Sequence, residues 1–222
     1  MTRVQTPQAS SQDKGATPGW VSFVGSGPGD PGLLTVRAVE LIESAEVIVT
    51  EAPEHVALVR SVLGLAEGED GPEIVDGGFG EDGQPLTHAA RAKVVVRHGK
   101  KQRVVRLMTG DPFLYASGPE EAQACVKAGV GFEIVPGVSS VTAVPAYAGV
   151  PLTDKKHGEV AVVNCSEAKV DWSCYADDRT LVLLSAVSSI DTVAKALVEA
   201  GRDESTPVAM TRVGTTTEQE TV

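Results

Sequence analysis

The sequence predicts an α/β fold with largely parallel strand pairing, because short apolar runs alternate along the chain with segments of helical periodicity. Three of the apolar runs end in turns that contain small residues, at residues 25–32, 109–114 and 136–140. Ligands of open α/β sheets bind beyond the carboxyl ends of the strands. We therefore expect these three turns to line a binding site.

Strands are predicted where a short apolar run ends in Gly, Pro or a polar residue. They fall at residues 21–24, 46–49, 103–108, 132–135, 160–164, 180–184 and 208–211. A further short strand is predicted at residues 74–75. It interrupts a stretch at residues 64–86 that is rich in Gly, Glu and Asp and otherwise predicts loop.

Helices are predicted between these strands, at residues 33–45, 89–98, 119–128 and 189–200. Gly99, Gly129 and Gly201 supply stop signals for the last three. Pro119 followed by two glutamates favours a helix start, since Pro suits the first turn and carboxylates suit the positive end of the helix dipole.

Residues 1–18 are rich in Gln, Ser, Thr and Pro, which predicts a disordered leader. This stretch lacks the apolar centre of a secretory signal. No apolar run in the chain reaches the roughly 20 residues that cross a bilayer. We therefore expect a cytoplasmic protein without a membrane partner.

The net charge of −11 argues against nucleic acid as a partner, because phosphate binding needs a basic face. An anionic small molecule is not excluded, since it responds to the charge of its own pocket. The three cysteines form no CxxC pair, and the four histidines are scattered without metal-ligand spacing. The sequence therefore predicts no metal site.

The first turn, GSGPGDPG at residues 25–32, has a dinucleotide-binding site as its obvious alternative, with Glu51 as the acid that would meet a ribose. The spacing disfavours it, because Asp30 stands where the third glycine of that fingerprint belongs. Pro28 and Pro31 also remove two amide donors. The turn thus favours a ligand without phosphate, and a merely tight turn remains the other interpretation.

The second turn is Thr109-Gly110-Asp111-Pro112-Phe113-Leu114, in which Gly110 allows close approach of another backbone. Asp111 either contacts a ligand or caps its own turn. The third turn, residues 136–140, ends in the hydroxyls of Ser139 and Ser140.

The blocks VGSGPGDPGLLTVRAVELI, VVRLMTGDPFLY, FEIVPGVSS and AYAGVPLT resemble those of the tetrapyrrole methylase family, over residues 20–222. The resemblance implies two α/β domains, at residues 19–137 and 138–222, with S-adenosylmethionine in the cleft between them. It also implies that the second domain lacks its final elements, and that the protein forms a homodimer. The acidic, divergent stretch is similar to methylase halves that are fused to a uroporphyrinogen-III synthase.

Residue by residue, the resemblance implies a set of cofactor-binding positions: Pro28, Thr109, Gly110, Asp111, Leu114, Ser139, Ser140, Ser185 and Gly214. Asp111 would meet the methionine amino group or the ribose. Glu51 stands where the family has an Asp that takes a proton from the attacked ring. Glu is one methylene longer, so this role needs a backbone that accommodates the extra reach.

Within the family, GPGDPGLLT and AYAGVPLT most resemble the branch that methylates uroporphyrinogen III at C2 and C7. The products would be precorrin-2, for siroheme and cobalamin synthesis, and S-adenosylhomocysteine. The substrate bears eight carboxylates, for which Arg37, Arg106 and Lys155 are the candidate ligands.

Three departures from the family pattern leave alternatives open. Gly77-Gly78 lacks the family's Lys, Ala116-Ser117-Gly118 lacks its Arg, and Asp154-Lys155 replaces its His-Arg. TGDPFLY leans toward the precorrin-4 methylases. The alternatives are therefore a precorrin-4-type methyltransferase and a cofactor-binding domain without catalysis.

Overall fold

The computed structural model describes residues 19–80, 82–166 and 169–222, and the leader predicted at residues 1–18 lies outside them. The chain divides into two compact units, the first ending at Val138 and the second beginning at Ser139.

The first unit alternates strands and helices. Its strands are β1 (Trp20–Gly25), β2 (Val47–Thr50), β3 (Glu73–Asp76), β4 (Arg103–Met108) and β5 (Gly131–Val135). Its helices are α1 (Val36–Glu43), α2 (Glu54–Leu63), α3 (His88–Gly99) and α4 (Gly118–Ala128), with a short 3-10 turn at Pro31–Leu33.

The five strands form one parallel sheet in the order β3-β2-β4-β1-β5. The runs of β1, β2 and β4 are buried on both faces, as expected for a parallel sheet covered by helices, whereas β3 and β5 at the edges are only partly buried. On one face Ala38, Ile42 and Val59 bring α1 and α2 into the core. On the other face α3 and α4 contribute Val95 and Cys125.

The second unit is built from α5 (Ser140–Tyr147), β6 (Val160–Asn164), β7 (Thr180–Leu184), α6 (Ile190–Glu199), β8 (Thr211–Arg212) and β9 (Glu220–Thr221). Two 3-10 turns lie at Trp172–Tyr175 and Val187–Ser189. Strands β6 and β7 pair in parallel, whereas β8 and β9 pair antiparallel.

Most of the predicted elements are confirmed within one or two residues, including the short strand at residues 74–75. The strand predicted at residues 208–211 is wrong in its bounds, because β8 spans Thr211–Arg212 and only Met210 and Thr211 of the predicted run make backbone pairs, with Val222 and Thr221. Val208 is 66% exposed, so the apolar residues of this run do not mark a buried strand. Helices α2 and α5 are not predicted from the sequence.

Side-chain caps explain where several helices begin. Thr35 Oγ1 accepts the Ala38 N–H at 3.1 Å, and Thr87 Oγ1 accepts the Ala90 N–H at 3.3 Å. Helices α2 and α4 end at the left-handed glycines Gly64 and Gly129. Among the described residues, no helix is long and apolar enough to span a membrane.

Candidate functional site

The turns that follow β1 and β4 are joined backbone to backbone at the carboxyl end of the parallel sheet. Gly110 donates its N–H to the Gly27 carbonyl at 2.9 Å, and Gly27 donates to the Gly110 carbonyl at 3.3 Å. The Ser26 N–H reaches the Met108 carbonyl at 2.7 Å. The first two predicted turns therefore form one continuous surface.

The turn after β5 packs against the other two through glycines. A Cβ atom added to Gly137 would lie 2.1 Å from the Gly110 carbonyl oxygen, and one added to Gly25 would lie 2.4 Å from the same oxygen. No side chain fits at such distances, so both positions require glycine. The three turns of the first unit thus meet at one place.

Asp111 fastens the second turn to the third. Its Oδ1 accepts the Phe113 N–H at 2.8 Å, which closes its own turn, and its Oδ2 accepts the Gly137 N–H at 3.1 Å. Next to it Thr109 and Leu114 are exposed. The surface around the three glycines therefore carries a hydroxyl and an apolar side chain.

The first turn does not have the geometry of a dinucleotide site. Helix α1 begins only at Val36, and the Ala38 amide in its first turn is already capped by Thr35. Asp30 accepts the Gly32 N–H at 2.7 Å and so holds the intervening turn. Pro28 is half-buried between them. Side chains of the protein itself thus take up amides of the kind that a pyrophosphate would need at a helix start.

Glu51 follows β2 and turns its carboxylate toward β4. Its Oε1 accepts the Thr109 N–H at 2.7 Å, and its Oε2 lies 3.3 Å from Arg106 Nη2. The side chain keeps 18% of its surface exposed. The structure thus brings two of the predicted site residues, Glu51 and Thr109, into direct contact.

Arg106 lies in β4 and has no exposed surface. Its Nε and Nη2 donate to the two carboxylate oxygens of Glu121 at 2.8 and 3.0 Å. Ser117 adds a third donor to Glu121 at 2.7 Å. This placement corrects the expectation that Arg106 binds a substrate carboxylate, because a guanidinium enclosed between Glu51 and Glu121 cannot reach a dissolved anion.

His55, in the first turn of α2, joins the same cluster and is not predicted from the sequence. Its Nε2 lies 3.1 Å from Ser26 Oγ and 3.4 Å from Thr109 Oγ1. Its Nδ1 faces the Glu51 N–H at 3.5 Å. Burial lowers the pKa of the imidazole, and the nearby Arg106 charge adds to this effect. Pro53 is a helix-start signal, and a helix predicted after it would have placed His55 in the first turn, four residues after Glu51. That spacing could have identified His55 as a candidate.

The other two candidate substrate ligands are both exposed. Arg37, on α1, is 52% exposed and pairs with Glu133 and Glu40, each at 3.2 Å. Hydrogen bonds to these two carboxylates raise the pKa of Arg37. Lys155 is exposed in the second unit, beside the turn that Asp154 caps.

The predicted cofactor residues of the second unit lie at helix starts and strained turns. Ser139 caps α5 by accepting the Val141 N–H at 3.1 Å, and Ser140 is the first residue of that helix. Ser185, directly after β7, has a φ of 56°. Gly214 packs so closely that an added Cβ would lie 2.6 Å from Val144 Cγ2.

Backbone strain accompanies these positions. Among the described residues, the non-glycine residues with positive φ are Tyr115, Ser185, Val213 and Thr215. Each is a predicted cofactor residue or the neighbour of one. A left-handed conformation is unfavourable for residues with a Cβ, above all for a β-branched one, and such strain clusters at ligand-binding sites.

A groove of about 850 Å³ lies elsewhere, between α3 and α4. Its lining includes Lys93, Arg97 and Lys127 but none of the predicted site residues. Among the described residues, no cluster of three or more His, Cys, Asp or Glu side chains could hold a metal ion.

Residues 21–222 match the family described as Tetrapyrrole (Corrin/Porphyrin) Methylases. The chain is 36% identical to the uroporphyrinogen-III C-methyltransferase of Synechocystis, over 91% of this chain and 78% of that protein. It is 37% identical to an S-adenosyl-L-methionine-dependent uroporphyrinogen III methyltransferase of Methanosarcina barkeri, over 90% and 80%.

A solved structure shares the fold of the chain. The uroporphyrin-III C-methyl transferase of Thermus thermophilus, complexed with S-adenyl homocysteine, matches with a TM-score of 0.74 and 32% identity. The match covers 92% of this chain and 87% of that one.

Proposed function

Because the chain belongs to the tetrapyrrole methylase family, we propose that it methylates uroporphyrinogen III at C2 and C7 to give precorrin-2, with S-adenosylmethionine as the methyl donor. The observation that carries the proposal is the identity of 36–37% over about nine tenths of the chain to enzymes of this activity.

The chemistry of the three turns fits this cofactor. S-adenosylmethionine supplies a methyl group on a positively charged sulfur, which has no N–H to donate and carries no phosphate. Carbonyl oxygens and apolar side chains suit such a group better than a row of amides does. The glycine turns of the first unit offer backbone oxygens, the Thr109 hydroxyl and the exposed Leu114.

The remaining cofactor-binding positions of the proposal are Pro28, Gly110, Asp111, Ser139, Ser140, Ser185 and Gly214. Support for Ser185 and Gly214 comes from the strained backbone at and beside them. Asp111 supports the site indirectly, because it holds the second and third turns together.

Glu51 is the proposed proton acceptor. A carbon–carbon bond forms to the transferred methyl as the carbon–sulfur bond breaks, and a proton must then leave the tetrapyrrole. The Thr109 N–H and Arg106 fix the Glu51 carboxylate in one orientation, while part of its surface remains exposed. Such fixed geometry is what general base catalysis needs.

Arg37 and Lys155 remain the proposed ligands of the substrate carboxylates, because both are exposed cations. Arg37 would exchange its ion pairs with Glu40 and Glu133 for the substrate, which costs little, since exposed pairs contribute about 0–1 kcal/mol.

The test is an anaerobic incubation of the protein with uroporphyrinogen III and S-adenosylmethionine labelled in the methyl group. Label should enter the tetrapyrrole, and the mass spectrum should show two added methyl groups. Tight binding of S-adenosylhomocysteine without transfer would favour a cofactor-binding domain without catalysis. Transfer to a precorrin-4 substrate alone would replace the proposed substrate.

Family membership also supports a cytoplasmic homodimer. Cys125 is buried and unpaired, and burial raises the pKa of its thiol to about 11, with a smaller contribution from Glu121. Unpaired thiols suit a reducing compartment.

Sedimentation equilibrium should give twice the mass of the chain, and a monomer at all concentrations would contradict the dimer.

A further inference from the structure

His55 connects three separate segments of the candidate site. It is 4% exposed, and its ring touches Ser26 in the turn after β1, Glu51 after β2 and Thr109 after β4. Helix α2 supplies this ring from its first turn. A single side chain therefore spans the ends of three strands.

The hydrogen bonds define one protonation state of the ring. Nδ1 faces a backbone N–H, that of Glu51, so this nitrogen accepts and carries no proton. The proton of the neutral ring is then on Nε2, where Ser26 Oγ and Thr109 Oγ1 can accept it. Ser26 Oγ donates its own proton to the Gly27 carbonyl at 3.2 Å, which leaves its lone pairs free to accept.

A protonated ring would not fit the same partners. An imidazolium donates from both nitrogens, so Nδ1 would oppose the Glu51 N–H. The charged groups near the ring are the carboxylates of Glu51 and Glu54, which favour protonation, and Arg106, which disfavours it. Burial acts with Arg106 and lowers the pKa of His55. The neutral form is thus the one that the geometry requires.

We propose that neutral His55 is a positioning residue for the methyl transfer, a role that rests on the function proposed above. Through Nδ1 it fixes the backbone of Glu51, the proton acceptor. Through Nε2 it fixes the turns at Ser26 and Thr109, which bind the cofactor. Because His55 is only 4% exposed, it acts through these two links and not by direct contact with a ligand.

The two links can be separated by substitution. In His55→Asn the side-chain oxygen can take the place of Nδ1 and accept the Glu51 N–H, but the amide is too short to reach Ser26. In His55→Gln the longer amide can donate to Ser26 and Thr109 from the place of Nε2, and no acceptor remains for Glu51. His55→Leu removes both links.

The experiment measures kcat for methyl transfer to uroporphyrinogen III and the Kd of S-adenosylhomocysteine by calorimetry. One hydrogen bond lost corresponds to a factor of up to about 10. His55→Gln should lower kcat by about that factor and leave the Kd within about 3-fold of wild type. His55→Asn should show the reverse, and His55→Leu should lose both. The exposed His88, at the start of α3, gives the control His88→Gln, which should change neither quantity.

The outcomes separate this inference from the proposed function. If His55→Gln and His55→Asn lower kcat and affinity by the same factor, or change neither, the positioning role is overturned. If wild-type protein transfers no methyl to uroporphyrinogen III, the proposed function fails. The affinity measurements on the same variants would still decide whether Nε2 holds the cofactor turns, and thermal unfolding curves would identify any variant that does not fold.

Discussion

Arg106 and Glu121 form an ion pair with two hydrogen bonds in the interior of the first unit, and neither side chain has exposed surface. Glu51 lies 3.3 Å from Nη2 of the same guanidinium, which also donates to Glu121. Two carboxylates thus share one buried cation. The position of the proposed proton acceptor therefore depends on a residue of α4 that it does not touch.

Replacing Glu121 by alanine should destabilise the first unit strongly. Arg106 would lose two buried hydrogen bonds and keep only the partly exposed Glu51 at 3.3 Å, and breaking a buried pair in this way costs up to about 3–5 kcal/mol. Urea unfolding followed by circular dichroism measures the loss. The matched control is Glu120→Ala, because Glu120 is its exposed neighbour and its removal should cost less than about 0.5 kcal/mol. Equal effects of the two substitutions would contradict the buried pair.

Gly137→Ala should disrupt the meeting point of the three turns. Its Cβ would lie 2.1 Å from the Gly110 carbonyl oxygen, so one of the turns must move. We expect a tenfold or greater loss of S-adenosylhomocysteine affinity, about 1.4 kcal/mol or more. Gly158→Ala is the control, since no atom lies within 4 Å of a Cβ at that position. Unchanged affinity in Gly137→Ala would show that the turns do not act together.

Asp111→Ala should weaken cofactor binding more than Asp111→Asn does. Alanine leaves the N–H groups of Phe113 and Gly137 without their acceptor, whereas asparagine keeps one of its two oxygens. The Gly137 N–H is partly buried, and leaving it unsatisfied costs about 1–3 kcal/mol, whereas water can replace the acceptor of the exposed Phe113 N–H. Calorimetry with S-adenosylhomocysteine gives the comparison. If both variants bind like wild type, the link between the second and third turns has no part in binding.

Val213→Gly should raise the free energy of unfolding and lower cofactor affinity. A β-branched residue at a φ of 49° is strained by about 1 kcal/mol, and glycine relieves that strain. Val208→Gly is the control, since Val208 is exposed and is not among the residues with positive φ. It should be neutral or destabilising. Higher stability with unchanged affinity in Val213→Gly would mean that the strain does not serve the ligand.

The stability of the first unit should fall in mild acid because of His55. Burial holds the pKa of the folded imidazole below its ordinary value of 6.5. As pH falls through that value, the unfolded chain takes up a proton that the folded chain excludes, and the free energy of unfolding decreases. His55→Gln should therefore lose less stability than wild type between about pH 7 and pH 5.

His157 cannot account for such an acid effect. Its hydrogen bond to Asp154 raises the pKa of the imidazole, so its contribution is present in acid and is lost as pH rises. Urea midpoints measured across this pH range, with His88→Gln as the matched control, give the difference that belongs to His55. Parallel curves for wild type and His55→Gln would refute the prediction.

The sheet of the first unit could be predicted because its strands are continuous apolar runs, such as the run that starts at Val47, and such runs signal strands buried on both faces. Helix α5 could not, since Pro145 lies inside it and interrupts the helical signal. Helix α2 could be predicted in principle, because Leu58, Val59 and Val62 have helical spacing and Gly64 supplies a stop signal.

The meeting of the three turns followed from the rule that parallel strands end at one edge. The partners of Arg106 did not follow from any such rule. Glu51 lies 55 residues before Arg106 in the sequence, and Glu121 lies 15 residues after it. Only the register of β2 against β4 and the placement of α4 bring the three side chains together. An arginine in a strand is usually exposed, so nothing in its own neighbourhood indicated burial.

The central position of β1 has a consequence for how the nascent chain acquires its structure. Trp20 pairs with Arg103 on one side and with Gly131 on the other, so both neighbours of β1 are synthesised long after it. Contacts between such distant segments close large loops and form slowly. Of the five strands in this sheet, β1 is made first and is among the last to be enclosed, and until then its apolar side chains are available to chaperones or to aggregation.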